Sequence, residues 1–186
     1  MIFVDQFHEE SVSKDKTGLN TFIYFILYVF MIIFAITAIM TLNTLFASIA
    51  SGGKGIVFVI IQLVLTGGLT FGCYVLKNNQ RIEYDYTLTN GVLDVAKVIN
   101  NSKRKKVLSA DVKEFEVIAP ISDPGFQRML NYKGIQKKYN VFLNRNSKLY
   151  YGVFTHEGVK SLIVFEPSEE MLNSIKVFIP RNVKIA

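Results

Sequence analysis

The sequence predicts an α+β membrane protein, in which an N-terminal transmembrane helical hairpin is followed by a bent antiparallel β-sheet with a C-terminal helix. Three observations indicate this fold class. Two long runs without a charged residue fill most of residues 19–76. Beyond them, an Asn-Gly dipeptide separates two stretches in which apolar and polar residues alternate. The last part of the chain contains one amphipathic helical pattern.

The two uncharged runs predict membrane-spanning helices over residues 19–46 and 55–76. A helix rises about 1.5 Å per residue, so each run is long enough to cross a hydrocarbon core of about 30 Å. The first run is too long for a signal peptide. Residues 47–54 are predicted to be a short external loop. Residues 1–18 are predicted to be an N-terminal cytoplasmic segment, either as a frayed terminus or as a short interfacial helix.

The distribution of charge predicts the orientation of this hairpin. Residues 1–76 carry three lysines against four acidic residues, whereas residues 77–186 carry eighteen Lys or Arg against eleven acidic residues. Cations collect on the cytoplasmic side of membrane spans. We therefore expect a multi-pass protein of the cell membrane with both termini in the cytoplasm. The cations that favour this orientation are Lys14, Lys16, Lys77 and Arg81, against Lys54 alone in the connector.

The second span contains a GxxxG motif formed by Gly68 and Gly72. Small residues at this spacing let another helix approach closely. The first interpretation is packing inside the hairpin, against Phe25 or Tyr28, and the second is a homodimer face. Neither span contains an ionisable side chain of the kind that proton relays and ion paths need.

Residues 77–186 are predicted to form a cytoplasmic domain that opens with a β-hairpin. Residues 80–89 alternate between apolar and polar, and Asn90-Gly91 favours a type I′ turn. A two-residue turn pairs residues whose numbers sum to 181, so Leu88 faces Leu93. The remaining apolar pairs are Tyr86 with Val95 and Ile82 with Ile99.

The rest of this domain reads as short strands and one helix. Another strand is predicted to end near Pro120, followed by a short helix around Phe126–Leu130. Two strands joined by an Arg-Asn-Ser turn and a further strand follow, giving about seven strands after the second span. Ser168 is placed to cap a C-terminal helix, and Pro180 stops it.

Two segments give the domain its resemblance to a known family. TLTNGVLDV, residues 87–95, resembles the opening hairpin of bacterial PH-like (pleckstrin-homology-like) domains in small membrane proteins. KKVLSADVKEFEVI, residues 105–118, resembles a later strand entry in the same domains. The likeness covers roughly residues 20–180 and points to an uncharacterised family of small two-helix membrane proteins. It implies a bent sheet closed by a helix, and no known enzyme activity.

The run Lys103, Arg104, Lys105 and Lys106 is predicted to be a loop, either as a solvated connection or as a contact for anionic lipid headgroups. Eukaryotic PH domains bind phosphoinositides through the loop joining their first two strands. That loop is assigned here to residues 89–92, which hold no cation, so the family's lipid site does not carry over. Nucleic acid is an unlikely partner, because the nearby tyrosines Tyr84 and Tyr86 are predicted to face the core.

The sequence favours no catalytic, cofactor or metal site. Cys73 is the single cysteine, and the two histidines, His8 and His156, lie far apart. His156 is predicted to lie in a solvated turn. Asp111 is interpreted as a local cap of a strand entry, and Ser109 has no base near it in sequence.

Three functions remain open from the sequence. The first is a non-enzymatic, membrane-anchored module that binds an unknown protein partner or associates with itself. The second is an accessory subunit of a transport or channel complex, in which the helices act and the domain regulates. The third is sensing of anionic lipid through the basic loop.

Overall fold

The computed structural model describes residues 6–14 and 18–185, which fall into two compact units. Residues 18–81, two long helices and a short connector, form one unit. The stretches on either side, residues 6–14 and 82–185, together form the other. The helices are therefore an insertion in a β-rich domain rather than a segment that precedes it.

The two helices are long and apolar. Helix α1 spans Gly18–Ala50 and extends beyond both predicted ends of the first span, whereas α2 spans Ile56–Asn79 and extends beyond the second span only at its C-terminal end. Their most apolar windows have mean hydropathies of 2.7 and 2.2, and 0% and 6% of these windows are buried. Length and composition thus make both helices able to cross a membrane.

The first sheet contains four antiparallel strands in the order β1-β2-β3-β4. Strand β1 is the element that the sequence did not predict. It pairs with β2 along its whole length, from Phe7 opposite Thr89 to Ser13 opposite Glu83. The prediction of a frayed terminus or an interfacial helix is therefore wrong for these residues. The strands are β1 (Phe7–Ser13), β2 (Ile82–Thr89), β3 (Val92–Ile99) and β4 (Lys103–Asp111).

The predicted hairpin register is confirmed. Leu88 pairs with Leu93, and the pairs of Tyr86 with Val95 and Ile82 with Ile99 follow. The turn residues Asn90 and Gly91 have φ angles of 49° and 89°, as a type I′ turn requires.

A second turn of the same kind corrects the predicted basic loop. Asn100 and Asn101 have φ angles of 50° and 52°, and the N–H of Ser102 donates to the carbonyl of Ile99. Asparagine enters this left-handed region more readily than other residues with a side chain. The chain therefore reverses before the cations, and β4 begins at Lys103.

The second sheet has the order β5-β7-β8-β6. The strands on either side of the Arg-Asn-Ser turn do not pair with each other. Strand β6 crosses over to pair in parallel with β8, and β7 pairs with β5 and β8. The short helix α3 is confirmed. The elements are β5 (Phe115–Pro120), α3 (Gly125–Asn131), β6 (Lys137–Val141), β7 (Tyr150–His156) and β8 (Val159–Phe165).

The core lies between the two sheets and is covered by helix α4, Glu169–Phe178. Met171, Leu172 and Ile175 of α4 are fully buried. The Ser168 side chain accepts a hydrogen bond from the N–H of Met171 at 3.0 Å, as predicted for a helix cap. The predicted fold class, α+β with two long N-terminal helices, antiparallel sheets and a C-terminal helix, is confirmed.

Candidate binding surfaces

Strand β1 leaves one edge of its sheet open. The N–H of Asn90 donates to the carbonyl of Gln6 at 2.9 Å, which fixes the alternation of the β1–β2 ladder. Even-numbered residues of β1 bond to β2, so the main-chain groups of Phe7, Glu9 and Ser11 point away from it. Within the described residues, no further strand pairs with this edge.

A cleft of about 510 Å³ runs along this edge. Five consecutive residues of β1 line one side of it. The other side is formed by the loop before β7 and by the segment that leads into α4. The lining residues are His8, Glu9, Glu10, Ser11 and Val12 on β1, and Ser147, Lys148, Glu166, Pro167, Ser168 and Glu170 opposite.

Hydrogen bonds accepted by Glu166 hold the far wall of the cleft. Its carboxylate accepts from the N–H of Leu143 at 3.4 Å and from the N–H and side-chain amide of Asn144 at 3.2 and 3.1 Å. The Asn144 amide also donates to the carbonyl of Ser13 on β1 at 3.0 Å. Glu10 accepts from the N–H of Ser168 at 3.0 Å. The wall is therefore fixed relative to β1.

Two of the four predicted lipid-contact residues are neutralised within the domain. Arg104 lies 3.5 Å from Asp85 and 3.7 Å from Glu9, and Lys106 lies 2.9 Å from Asp94. Burial by itself would raise the pKa of Asp94, but hydrogen bonds from Lys106 and Ser109 outweigh it and hold this pKa below its ordinary value.

The other two cations of the run, Lys103 and Lys105, are exposed and form no ion pair within the described part of the chain. Lys105 lies directly opposite Lys97 on β3. Like charges in this position repel each other. The basic strand therefore divides into a neutralised pair on one face and an unneutralised group on the other.

This unneutralised group lies at the end of the sheet where the helical insertion begins and ends. Ser13 ends β1, Ile82 begins β2, and Lys103 begins β4, all at that end. Strands β1 and β2 are therefore the first two strands, and their connection is the helical hairpin. The assignment of residues 89–92 to that loop is wrong, because they join the second and third strands.

The glycines of the GxxxG motif have open space where a side chain would lie. A Cβ atom placed on Gly68 or Gly72 would meet no atom within 4 Å. Packing of these glycines against another helix, inside the hairpin or in a homodimer, stays a prediction.

Aromatic side chains gather around the cations at the domain-connected end of the hairpin. The Lys77 ammonium lies 5.2 Å from the ring of Tyr28 and 5.6 Å from that of Tyr74, and the Arg81 guanidinium lies 4.1 Å from the ring of Tyr24. These distances suit cation–π attraction. Tyrosine and cations together are typical of a membrane–water interface.

The residues considered for catalysis make contacts within the domain. The prediction that His156 lies in a solvated turn is wrong, because it is the last residue of β7 and its Nδ1 lies 2.8 Å from the carboxylate of Glu114. Asp111 accepts from the N–H of Lys113 at 2.9 Å, which confirms its role as a local cap. No group of three or more His, Cys, Asp or Glu side chains that could hold a metal ion is found among residues 6–14 and 18–185.

Comparison with protein families identifies the chain. The model of the family described as Bacterial PH-like domain (DUF6106) matches residues 4–185. The chain belongs to this family. The match runs through β1, both helices and the two sheets, so the helical insertion lies inside the family's domain. Comparison with curated proteins and with solved structures found no match.

Little in the local sequence pattern indicates strand β1. FHEESVS places charged residues on both faces of the strand and has only Phe7 and Val12 as large apolar residues. Strand propensity favours β-branched and aromatic residues, so the pattern is weak. Its partner, β2, lies beyond the whole helical insertion, and only the paired structure reveals the strand.

Proposed function

We propose that this protein is a non-enzymatic, membrane-anchored binding module, in which the α1–α2 hairpin anchors the PH-like domain at the cytoplasmic face of the cell membrane. One observation carries the proposal. Strands β1 and β2 are hydrogen-bonded neighbours, although the hairpin lies between them in the chain. A continuous sheet cannot have a bilayer between two of its strands, so both ends of the hairpin return to the same side.

The ends of the hairpin support this orientation. Lys77 and Arg81 lie beside tyrosine rings at the end connected to the domain, whereas the connector at the other end has only Lys54. The excess of cations favours the cytoplasm for the domain. PH-like domains serve as binding modules in general, which supports a tethering and binding role over a chemical one.

Membrane extraction tests the anchor. The full chain is expected to stay with membranes in alkaline carbonate and to leave them only in detergent. A variant in which residues 15–80 are replaced by a short Gly-Ser linker is expected to be soluble and folded, because Ser13 and Glu83 lie opposite each other. Release of the full chain by carbonate alone would contradict the anchor.

Photo-crosslinking separates this proposal from the accessory-subunit alternative. A photoreactive residue is placed either at Glu9 beside the cleft or at Leu65, an exposed position of α2. The binding module is expected to capture a protein partner from position 9. Capture from position 65 alone would favour a hairpin that acts inside a membrane complex.

A second candidate function is contact with anionic lipid headgroups. The observation that favours it is the unneutralised group formed by Lys97, Lys103 and Lys105 at the tethered end of the sheet. Each well-placed cation near an anionic surface contributes about 1 kcal/mol. Of the four predicted lipid-contact residues, only Lys103 and Lys105 remain in the proposed contact. Lys97, which lies opposite Lys105, joins them.

Paired charge variants test the lipid contact. An environment-sensitive dye at Asn101→Cys, with Cys73→Ser, reports lipid proximity in nanodiscs with and without phosphatidylglycerol. The change in dye fluorescence caused by phosphatidylglycerol is expected to fall in Lys103→Gln/Lys105→Gln. It is expected to persist in the control Arg104→Gln/Lys106→Gln, which also removes two positive charges. Equal responses of the two variants would exclude a specific lipid-facing group.

A further inference from the structure

The two open edges of the first sheet differ in how they are protected. Strand β4 carries four consecutive cations and a register shift opposite Val95 and Ala96. Lysines and bulges on an edge strand prevent pairing with another chain. Strand β1, Phe7–Ser13, has no lysine, no proline and no register shift. Of these two edges, β1 is the one open to an added strand.

The main chain of β1 offers the groups that such a strand needs. The N–H and C=O groups of Glu9 and Ser11 point away from β2, and both residues line the cleft. A strand that adds to a sheet edge gains its affinity from such main-chain hydrogen bonds. The cleft of about 510 Å³ has the size of an ordinary binding site.

The charge of the cleft selects the kind of partner. Its lining contains four glutamates against one lysine, and that lysine, Lys148, lies 3.1 Å from Glu169. The acidic residues are Glu9, Glu10, Glu166 and Glu170. This acidic cleft stands out in a domain whose net charge is positive, because residues 6–14 and 82–185 carry seventeen Lys or Arg against thirteen Asp or Glu.

The placement of two glutamates refines the expected partner. Glu9 and Glu10 are consecutive in β1, so their side chains lie on opposite faces of the sheet. A paired strand would therefore meet a carboxylate on each face, with Glu9 already 3.7 Å from Arg104 and Glu10 3.4 Å from His8. Adjacent Lys or Arg residues in an extended segment place a further cation beside each carboxylate, whereas an acidic segment, a phosphorylated segment or an anionic lipid is repelled.

We propose that the β1 edge binds an extended, basic segment of a partner protein as an added strand. This inference deepens the proposed function and rests on it, since it names the surface and the partner class of the binding module. The N-terminal strand, the part of the domain that precedes the membrane hairpin, thus becomes its recognition element.

Peptide binding to the full chain tests the proposal. The probe is a fluorescein-labelled heptapeptide, TKKVKTK, and the protein is held in nanodiscs of phosphatidylcholine, so that the lipid adds no net charge. Fluorescence anisotropy is expected to show saturable binding. Methylation of alternate main-chain nitrogens of the peptide keeps its charge and is expected to weaken binding by about tenfold or more.

Variants of the protein separate charge from strand pairing. Glu9→Lys is expected to weaken binding, and Glu157→Lys, the same charge change at an exposed turn distant in sequence from the cleft lining, is expected to leave it unchanged. Glu9→Pro removes an outward N–H and is expected to weaken binding more than Glu9→Gln. Proline is tolerated on an edge strand where its nitrogen faces outward.

Each outcome decides the proposal. Equal binding of the methylated peptide, or of the Glu9→Lys and Glu157→Lys variants, would overturn it, as would no binding of the unmodified peptide. Occupation of the edge by a second copy, seen as crosslinks between Glu9→Cys chains, would overturn it as well. The anchor is tested independently by membrane extraction, so the failure of one is distinguishable from the failure of the other.

Discussion

Tyr86 forms hydrogen bonds that connect the first sheet to the second. It lies on β2, is fully buried, and its hydroxyl donates to the carbonyl of Val141 on β6. The same hydroxyl accepts from the N–H of Glu166 at 3.3 Å. Burial raises the pKa of this phenol, so it stays protonated and able to donate. Through these bonds, one side chain of the first sheet positions the wall of the cleft.

Replacing Tyr86 with Phe is expected to destabilise the domain. The carbonyl of Val141 and the N–H of Glu166 would lose a buried partner, which costs about 1–3 kcal/mol. Tyr132→Phe serves as the control, because Tyr132 is 54% exposed. The apparent melting temperature of the detergent-solubilised chain, followed by near-ultraviolet circular dichroism, measures both. Equal melting temperatures would contradict the role assigned to the Tyr86 hydroxyl.

The Asp94 carboxylate is expected to contribute to acid sensitivity. Its pKa in the folded state lies below the ordinary value of about 3.9. Its stabilising contribution is therefore present above that value and is lost as the pH falls through the folded-state pKa. Between about pH 5 and about pH 2, the melting temperature of Asp94→Asn should fall by less than that of the unmodified chain. An equal fall in both would show that the Asp94 carboxylate contributes nothing to acid sensitivity.

Among the elements, the β2–β3 hairpin depends most clearly on its turn. Gly91 has a φ angle of 89°, and a Cβ atom at this position would lie 3.1 Å from the ring of Phe178. The turn therefore requires glycine for its backbone and for the approach of α4. Gly158, in the β7–β8 turn, has a φ angle of 77° with no atom near a Cβ.

The pair Gly91→Ala and Gly158→Ala separates these two effects. Both variants place a side chain in the left-handed region, at a cost of about 1–2 kcal/mol. Gly91→Ala should cost more, because it also crowds Phe178. Melting temperatures compare the two variants, and an equal loss in both would mean that Phe178 moves away without cost.

The elements that the sequence predicted are those with local signals. The β2–β3 hairpin, α3 and the cap of α4 each depend on residues close together in the chain. The start of β4 was predicted to be a loop, because four consecutive cations are typical of a solvated connection. The turn at Asn100–Asn101, which ends just before β4, has a weaker sequence signal than Asn-Gly. The parallel pairing of β6 with β8 and the strand β1 depend on distant partners, which no local pattern specifies. The cleft was therefore not predictable.

At the scale of the whole molecule, the helical hairpin interrupts a sheet rather than preceding a domain. Strand β1 comes before the hairpin and β2 after it, yet they pair over seven residues. The domain therefore closes only when both flanks of the hairpin return to it. Under the proposed membrane anchor, folding of the domain is linked to insertion of the helices, since a chain with one helix inserted would place β1 and β2 on opposite sides of the membrane.

Two-sided cysteine labelling tests this account most directly. In a Cys73→Ser background, single cysteines replace Ser11 in β1, Glu157 in the second sheet and Ser51 in the connector. A membrane-impermeant maleimide added to intact cells should label Ser51→Cys only, and the other two should react after lysis. Labelling of Ser11→Cys and Glu157→Cys from opposite sides, or of all three from the same side, would contradict a sheet whose first two strands are connected by a membrane hairpin.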